Sequence, residues 1–459
     1  MLWAGCLVCL MLLWPVECVK NYSSALGKSI LFYNAQRSGQ LPGNNPISWR
    51  SHSALDDCVL GGWYDGSDHL KFGLPMAAAT HLLLWSVYKY KDAYINAGQL
   101  NQMYDMVKWP LDYFTRAWNS SKQEFIYQVA DEDIDRAYWG RPEDMTMYRP
   151  CKAANASHPG SDVAGATAAA LAAGYLVFHD KGDVAYSNQL LSKAKTLYKF
   201  ATDYRGAYQT TSYPSVSYLD ELCVAAVWLY RATGTAQYLT DANSFASNDF
   251  DWALTSDNQE LSCQQLLYEE TKSFSHRQAI TNYFKAWFPG GSMQYTPCGL
   301  VWAMKWGPLG LAANSAFLAL LAADVGIEVD SYRKWAVEQI NYILGDNHHN
   351  GGCYSFEVGY GDRYPLQPHH RGASCPNKPA PCGQNEAGSA ESNPQVLTGA
   401  IVGGPDEYDQ YVDSRPDWIY NRVEIDYNSG FQGALAAIIH LQSLHLFPTT
   451  NNKCPCLNE

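Results

Sequence analysis

The chain has 459 residues, 47% of them hydrophobic, and a formal net charge of −13. That length and apolar content allow one large core, since barrel folds run long as single units, and no linker or low-complexity tract divides it. The acidic balance argues against nucleic acid or an anionic membrane as partner and favours a neutral ligand.

Residues 1–18 are apolar and include Leu7-Val8-Cys9-Leu10-Met11-Leu12-Leu13-Trp14. The segment reads as a cleavable signal peptide, too short to span a bilayer, so the mature protein is expected to be secreted and extracellular. Asn-x-Ser acceptors at Asn21, Asn119 and Asn155 agree with secretion. Without Cys6, Cys9 and Cys18, ten cysteines remain. In an oxidising compartment an even number predicts several disulfides, whose pairing spacing leaves open. No Cys and His set has zinc-like spacing.

Helical periodicity predicts segments over 22–40, 76–90, 99–118 with a kink at Pro110, 161–178, 189–204, 220–233, 261–272, 307–324, 331–344 and 429–446. About a dozen helices fit in all. Strand signals are scarce: 207–217 and 352–360 are expected to pair locally, and nothing supports a large sheet. Antiparallel helix pairs closing into a ring would place alternate loops on one face, where function belongs.

The chemistry concentrates in such loops. In Gly61-Gly62-Trp63-Tyr64-Asp65-Gly66-Ser67-Asp68-His69 two carboxylates lie three residues apart in a glycine and aromatic frame. Hydrolysis with inversion at a sugar carbon needs one carboxylate to activate water and a second carboxyl to protonate the leaving oxygen. Neighbouring acids also raise each other's pKa. A solvated turn is the plain alternative. Acids and aromatics mix in the same way in three later loops, 138–145 with Trp139, 360–371 with His369 and Arg371, and 411–431 with Asp413, Glu424 and Tyr427. His and Arg suit sugar hydroxyls, and equally a loop-stapling hydrogen bond. The 15 Trp and 32 Tyr supply faces that stack on sugars or pack the core.

Taken together these segments resemble the family 9 glycoside hydrolases, the inverting endo-β-1,4-glucanases. The likeness runs through 61–76, Leu344-Gly345-Asp346-Asn347, Gly359-Tyr360-Gly361, Pro368-His369-His370-Arg371, 397–417 and 426–434. It implies an all-α fold, an (α/α)6 barrel of twelve helices, with an open groove across one face. It also implies Asp68 as the base, Asp65 as its partner on the water, and His369, Arg371, Asp413, Tyr427 and Trp139 as substrate-binding residues.

The acid departs from the pattern. Where the family runs Asn-Glu-Val-Ala-x-Asp-Tyr-Asn, this chain has Asn421-Arg422-Val423-Glu424-Ile425-Asp426-Tyr427-Asn428. Arg422 occupies the donor position, and a guanidinium cannot serve as a general acid. Glu424 is the nearest replacement. In an extended segment it shares a face with Arg422, roughly 7 Å further along; in a helix it points nearly the opposite way. Glu357 interrupts an apolar position, and Ala166 stands where the family commonly has Glu. Some members hold calcium near a segment like Ser217, Asp220 and Glu221, and oxygen ligands suit that ion; Ala253 replaces an acid such a site would use, and the alternative is helix capping by Asp220 and Glu221.

Two readings follow for one secreted, monomeric domain over 19–459 that requires no cofactor and has no separate carbohydrate-binding module. The first is an endo-β-1,4-glucanase acting on β-1,4-glucan with Asp65, Asp68 and Glu424 as catalytic residues. The second is a catalytically impaired relative that binds β-glucan without efficient hydrolysis.

Overall fold

Some helices of this chain are apolar on every side, and such a helix must be surrounded by protein. Pro308–Asp324 is the clearest, with every residue from Pro308 to Ala323 buried. The computed structural model describes residues 20–208, 210–247 and 252–457, and the expected signal peptide over 1–18 lies outside them.

Six helices form an inner ring: α2 (Gly73–Asn96), α5 (Ser161–Asp180), α7 (Leu219–Thr233), α9 (Glu260–Thr271), α11 (Pro308–Asp324) and α15 (Ile425–Ser443). Each packs on the next, and α15 closes the ring against α2. Six outer helices cover them: α1 (Tyr22–Ala35), α3 (Leu100–Ala117), α6 (Val184–Asp203), α8 (Ala236–Phe245), α10 (Phe274–Trp287) and α12 (Val329–Ile343). The outer helices are amphipathic. On α3 the buried face is Met103, Met106, Val107, Pro110, Leu111 and Phe114, the spacing of a single stripe. The fold is therefore the all-α (α/α)6 barrel of twelve helices. Three short helices lie in the loops: α4 (Glu132–Arg136), α13 (Arg371–Ser374) and α14 (Gln384–Ala387).

Two outer helices, α8 and α10, were not among the expected segments, and several boundaries move. The most consequential is α15, which starts at Ile425 and so takes Asp426 and Tyr427 into its first turn. Helix α3 runs through Pro110, and the irregular backbone is instead at Tyr90 in α2 (φ −126°, ψ 40°).

Among the described residues neither expected strand forms. Residues 210–217 are irregular, with the hydroxyls of Thr210, Thr211 and Ser212 turned to Glu132, and 352–360 is a turn region tied by the Cys353–Cys456 disulfide. The strands found are β1 (Lys71–Phe72), β2 (Trp118–Asn119), β3 (Glu124–Val129) and β4 (Cys151–Ala154), with β3 central, and a separate pair, β5 (Gln294–Tyr295) and β6 (Val301–Trp302). All pairings are antiparallel, Lys71 facing Val129 and Val129 facing Cys151.

This sheet anchors the loop before α2. Buried Asp57 accepts ion pairs from Lys71 Nζ and Arg149 Nε, both at 2.7 Å, and the adjacent Cys58 is bonded to Cys151. The ten cysteines form five disulfides, the others being Cys223–Cys263, Cys298–Cys454 and Cys375–Cys382.

Candidate active site

Three chain segments meet above the N-terminus of α15. Gly66 pairs with Glu424 in an antiparallel bridge, and His369 pairs with Arg422 in a parallel one. Ile425 N donates to Asp65 O at 2.9 Å, and His369 N donates to Asn421 O at 2.8 Å. The approach is so close that a Cβ at Gly66 (φ +155°) would lie 2.1 Å from Val423 O; only glycine fits there.

The join fixes the two aspartates. Asp65 is 1% exposed and accepts a hydrogen bond from Tyr213 Oη at 2.5 Å. Burial, then the charges of Asp68 and Asp426, hold its pKa well above the usual carboxylate range, against the pull of Tyr213 and Arg422. Asp68 is more open. Its Oδ1 accepts from Leu70 N at 3.1 Å, and its Oδ2 lies 3.9 Å from the Arg422 guanidinium.

Residues 421–424 are extended, Glu424 having φ −138° and ψ 151°, so Arg422 and Glu424 share a face as that geometry requires. They form a direct ion pair through Arg422 Nε and Glu424 Oε1. Glu424 is 2% exposed, Oε1 also accepts from Ser67 Oγ at 3.2 Å, and Oε2 takes no donor. Arg422 is the more exposed of the two. Burial disfavours its charge, but Tyr213, Asp68, Tyr427 and Asp65 more than offset that and raise its pKa. It is a permanent cation.

The expected substrate-binding residues divide into two groups. His369 and Trp139 stand edge to face with ring centres 5.2 Å apart. His369 Nδ1 lies 2.7 Å from Arg415 O, so that nitrogen carries the proton and Nε2 is the acceptor; burial chiefly lowers the pKa to about 4 and keeps the ring neutral. Trp139 Nε1 donates to Ser374 Oγ at 2.9 Å. Tyr427 packs against Gly307 and Gly310 at the head of α11 and lies close enough to Arg422 for their charges to interact.

Arg371 and Asp413 act behind this surface. Buried Arg371 donates to Asp135 O at 2.9 Å and to Asp135 Oδ2 at 2.5 Å, and its own N donates to Ser67 O. Both Asp413 oxygens are engaged, accepting from Leu366 N at 2.6 Å and Gln367 N at 2.9 Å. The carboxylate staples the loop leading to His369 instead of presenting a free acceptor.

Sequence reasoning missed Tyr213, Asp135 and Asp426. Tyr213 sits in a segment read as a strand. Asp135 lies in the acidic run 131–135, an ordinary solvated face to the eye, yet burial and Asp68 push its pKa to about 6. Asp426 accepts from Ser256 Oγ at 2.8 Å, and burial raises its pKa.

The expected calcium residues gather at the head of α7. Glu221 is fully buried and neither oxygen takes a hydrogen bond. Burial, then Asp220, Asp162 and Asp257, drive its pKa well upward. The helix is not capped by a side chain. Asp220 Oδ2 accepts from Gln259 N at 2.6 Å, reaching across to α9 instead of capping its own helix, while Ser217 Oγ accepts from Leu219 N at 3.2 Å. Asp257 lies near enough for its charge to act on Glu221. Oxygen donors beside a buried carboxylate suit a hard cation. Elsewhere among the described residues Cys298, His348 and Cys454 lie close together, but the two cysteines are joined as a disulfide.

An (α/α)6 ring that holds Asp65 and Asp68 together above the head of α15 is an architecture of the glycoside hydrolase class. The chain belongs to glycosyl hydrolase family 9, whose profile matches residues 22–435. It is 40% identical over 449 residues to endoglucanase A of Bacillus pumilus, covering 92% of this chain and 66% of that protein. With endoglucanase 15 of Arabidopsis thaliana it shares 37% identity over 491 residues, covering 94% of this chain and 97% of the plant protein. Among solved structures, an endoglucanase from the termite Nasutitermes takasagoensis superposes with a TM-score of 0.89 at 43% identity, covering 93% of this chain and 100% of the other. The endoglucanase CelQ from Clostridium thermocellum complexed with cellotriose superposes with a TM-score of 0.83 at 33% identity, covering 96% of this chain and 74% of the other.

Proposed function

We propose that the protein binds β-1,4-glucan chains in the groove above Asp68 and hydrolyses them slowly at best. Arg422 carries this reading. Its guanidinium stands across from Asp68 at 3.9 Å, and the neighbouring carboxyl, Glu424, is 2% exposed and engaged by Arg422 and Ser67. Inversion needs an acid to protonate the leaving oxygen, and arginine keeps its proton at any working pH. Losing general acid catalysis costs on the order of 10² to 10⁴ in rate. Asp65 and Asp68 stay suited to holding a water. The neutral His369 ring, Trp139 and Tyr427 suit an uncharged sugar, and the relatives named endoglucanases, with the cellotriose held by one of them, support β-1,4-glucan as that sugar.

A second reading, hydrolysis with Glu424 as a displaced acid, draws on the extended backbone that puts Glu424 on the face of Arg422. Burial and double engagement of that carboxylate weigh against it. Titration calorimetry with cello-oligosaccharides, beside reducing-end release from soluble β-1,4-glucan, separates the two. Binding without turnover supports the first; turnover abolished by Glu424→Gln overturns it.

We take the protein to be monomeric and to be secreted, and five disulfides support the secreted reading. We also infer a structural calcium held by Ser217, Asp220 and Glu221 with Asp162 and Asp257. It would supply the positive charge that the buried Glu221 carboxylate lacks.

A further inference from the structure

The loop before α7 carries Tyr213 to Asp65, and its described residues, 205–208 and 210–218, contain no helix or strand before α7 begins at Leu219. Something else must hold it. Glu132, 4% exposed on the short helix α4, accepts from three consecutive side-chain hydroxyls: Thr210 Oγ1 at 3.2 Å, Thr211 Oγ1 at closer range, and Ser212 Oγ at 2.5 Å. Lys152 and Arg136 reach the same carboxylate at 3.9 Å and 3.5 Å. The next residue is Tyr213, whose Oη donates to Asp65 and whose ring lies against Phe72 with centres 5.0 Å apart.

We infer that Glu132 is a positioning residue, gathering the hydroxyls of Thr210, Thr211 and Ser212 so that Tyr213 is held against Asp65. A charged acceptor makes hydrogen bonds roughly twice as strong as a neutral one, so a single carboxylate fixes three residues that lack backbone pairing. The same helix α4 carries Asp135, which binds Arg371. One five-residue helix therefore holds both the Tyr213 loop and Arg371, whose N donates to Ser67 O. Asp68, Asp426 and Arg422 act on the Asp65 carboxyl through their charges and Tyr213 through its hydrogen bond, with Tyr208 and Tyr427 also close enough to interact; of these Tyr213 directly follows the residues Glu132 holds, and its O also accepts from Tyr208 Oη at 2.8 Å.

The inference concerns the site to which glucan binding is assigned above, but its test reads no sugar. In protein labelled with carbon-13 at the Asp carboxyls, the Asp65 signal is assigned by its loss in Asp65→Asn and followed across pH. Removing the tyrosine donor in Tyr213→Phe is expected to raise the Asp65 midpoint by about one pH unit. Glu132→Ala is expected to give a similar rise, and Glu132→Ala with Tyr213→Phe no more than Tyr213→Phe alone. Glu132→Gln, which keeps the size and one acceptor, gives a smaller rise in the same direction and serves if the alanine variant does not fold. An unchanged midpoint in Glu132→Gln and Glu132→Ala, an unchanged midpoint in Tyr213→Phe, or additive effects would overturn the inference. Absence of glucan binding in every variant would bear on the proposed function and leave this result as it stands.

Discussion

Arg422 and Asp68 face each other across 3.9 Å, with Glu424 paired beneath the guanidinium. The surroundings are built to accept this arrangement: Gly66 has no side chain where the Glu424 carboxylate comes within 2.8 Å of a Cβ position, and Ser67 donates to that carboxylate. Five residues on two segments, Gly66, Ser67 and Asp68 on one and Arg422 and Glu424 on the other, are mutually fitted.

Breaking one side of this pair should therefore cost more than removing both. Arg422→Leu strands the buried Glu424 charge, and the loss expected is about 3–5 kcal/mol. Arg422→Leu with Glu424→Leu should recover most of it. Thermal melts of the three proteins check this, and a single variant as stable as the parent would contradict it.

Calcium removal should destabilise the fold. A ligand bound only to the folded state contributes about 2.7 kcal/mol at a hundred times its Kd. We expect a chelator to lower the Tm, added calcium to restore it, and Glu221→Gln to melt at one temperature with or without calcium. A parent Tm indifferent to chelation would remove the cation from the account.

Much of this was legible in the sequence, and the parts that were not have physical reasons. The inner ring could be read because α5 and α11 are apolar all round. The outer helix α10 carries its signal in His276, Ile280, Tyr283, Phe284 and Trp287, a stripe diluted by polar neighbours. That Asp65 and Asp68 lie close together follows from their separation of three residues, while the roles expected of them come from the family resemblance. Tyr213 and Glu132 were not legible, because the bond from Ser212 to Glu132 spans 80 positions of chain, and no periodicity records such side-chain bonds. The disulfide pairing likewise depends on which loops the barrel brings together.

Glu357 should make stability fall with rising pH. It is fully buried, neither oxygen takes a hydrogen bond, and burial holds its pKa well above the ordinary value, with Lys28 opposing. The folded state thus keeps a proton that the unfolded chain releases near its ordinary pKa of about 4.3. Stability is fullest below that value and is lost as pH rises toward the folded-state pKa. Glu357→Gln should match the parent in acid and melt higher at neutral pH. Equal melting temperatures at neutral pH would contradict the assignment.

On our reading, Arg422 leaves the site at Asp68 without its proton donor. Replacing Arg422 by Glu alone would set a second carboxylate beside Glu424, so the informative variant is Arg422→Glu with Glu424→Ala. We would measure reducing-end release from a soluble β-1,4-glucan by the parent, by this double variant, and by the double variant carrying Asp68→Asn. We expect a parent near background, a double variant faster by on the order of 10² or more, and loss of that gain with Asp68→Asn. A parent that hydrolyses the glucan readily, with a double variant no faster, would contradict it.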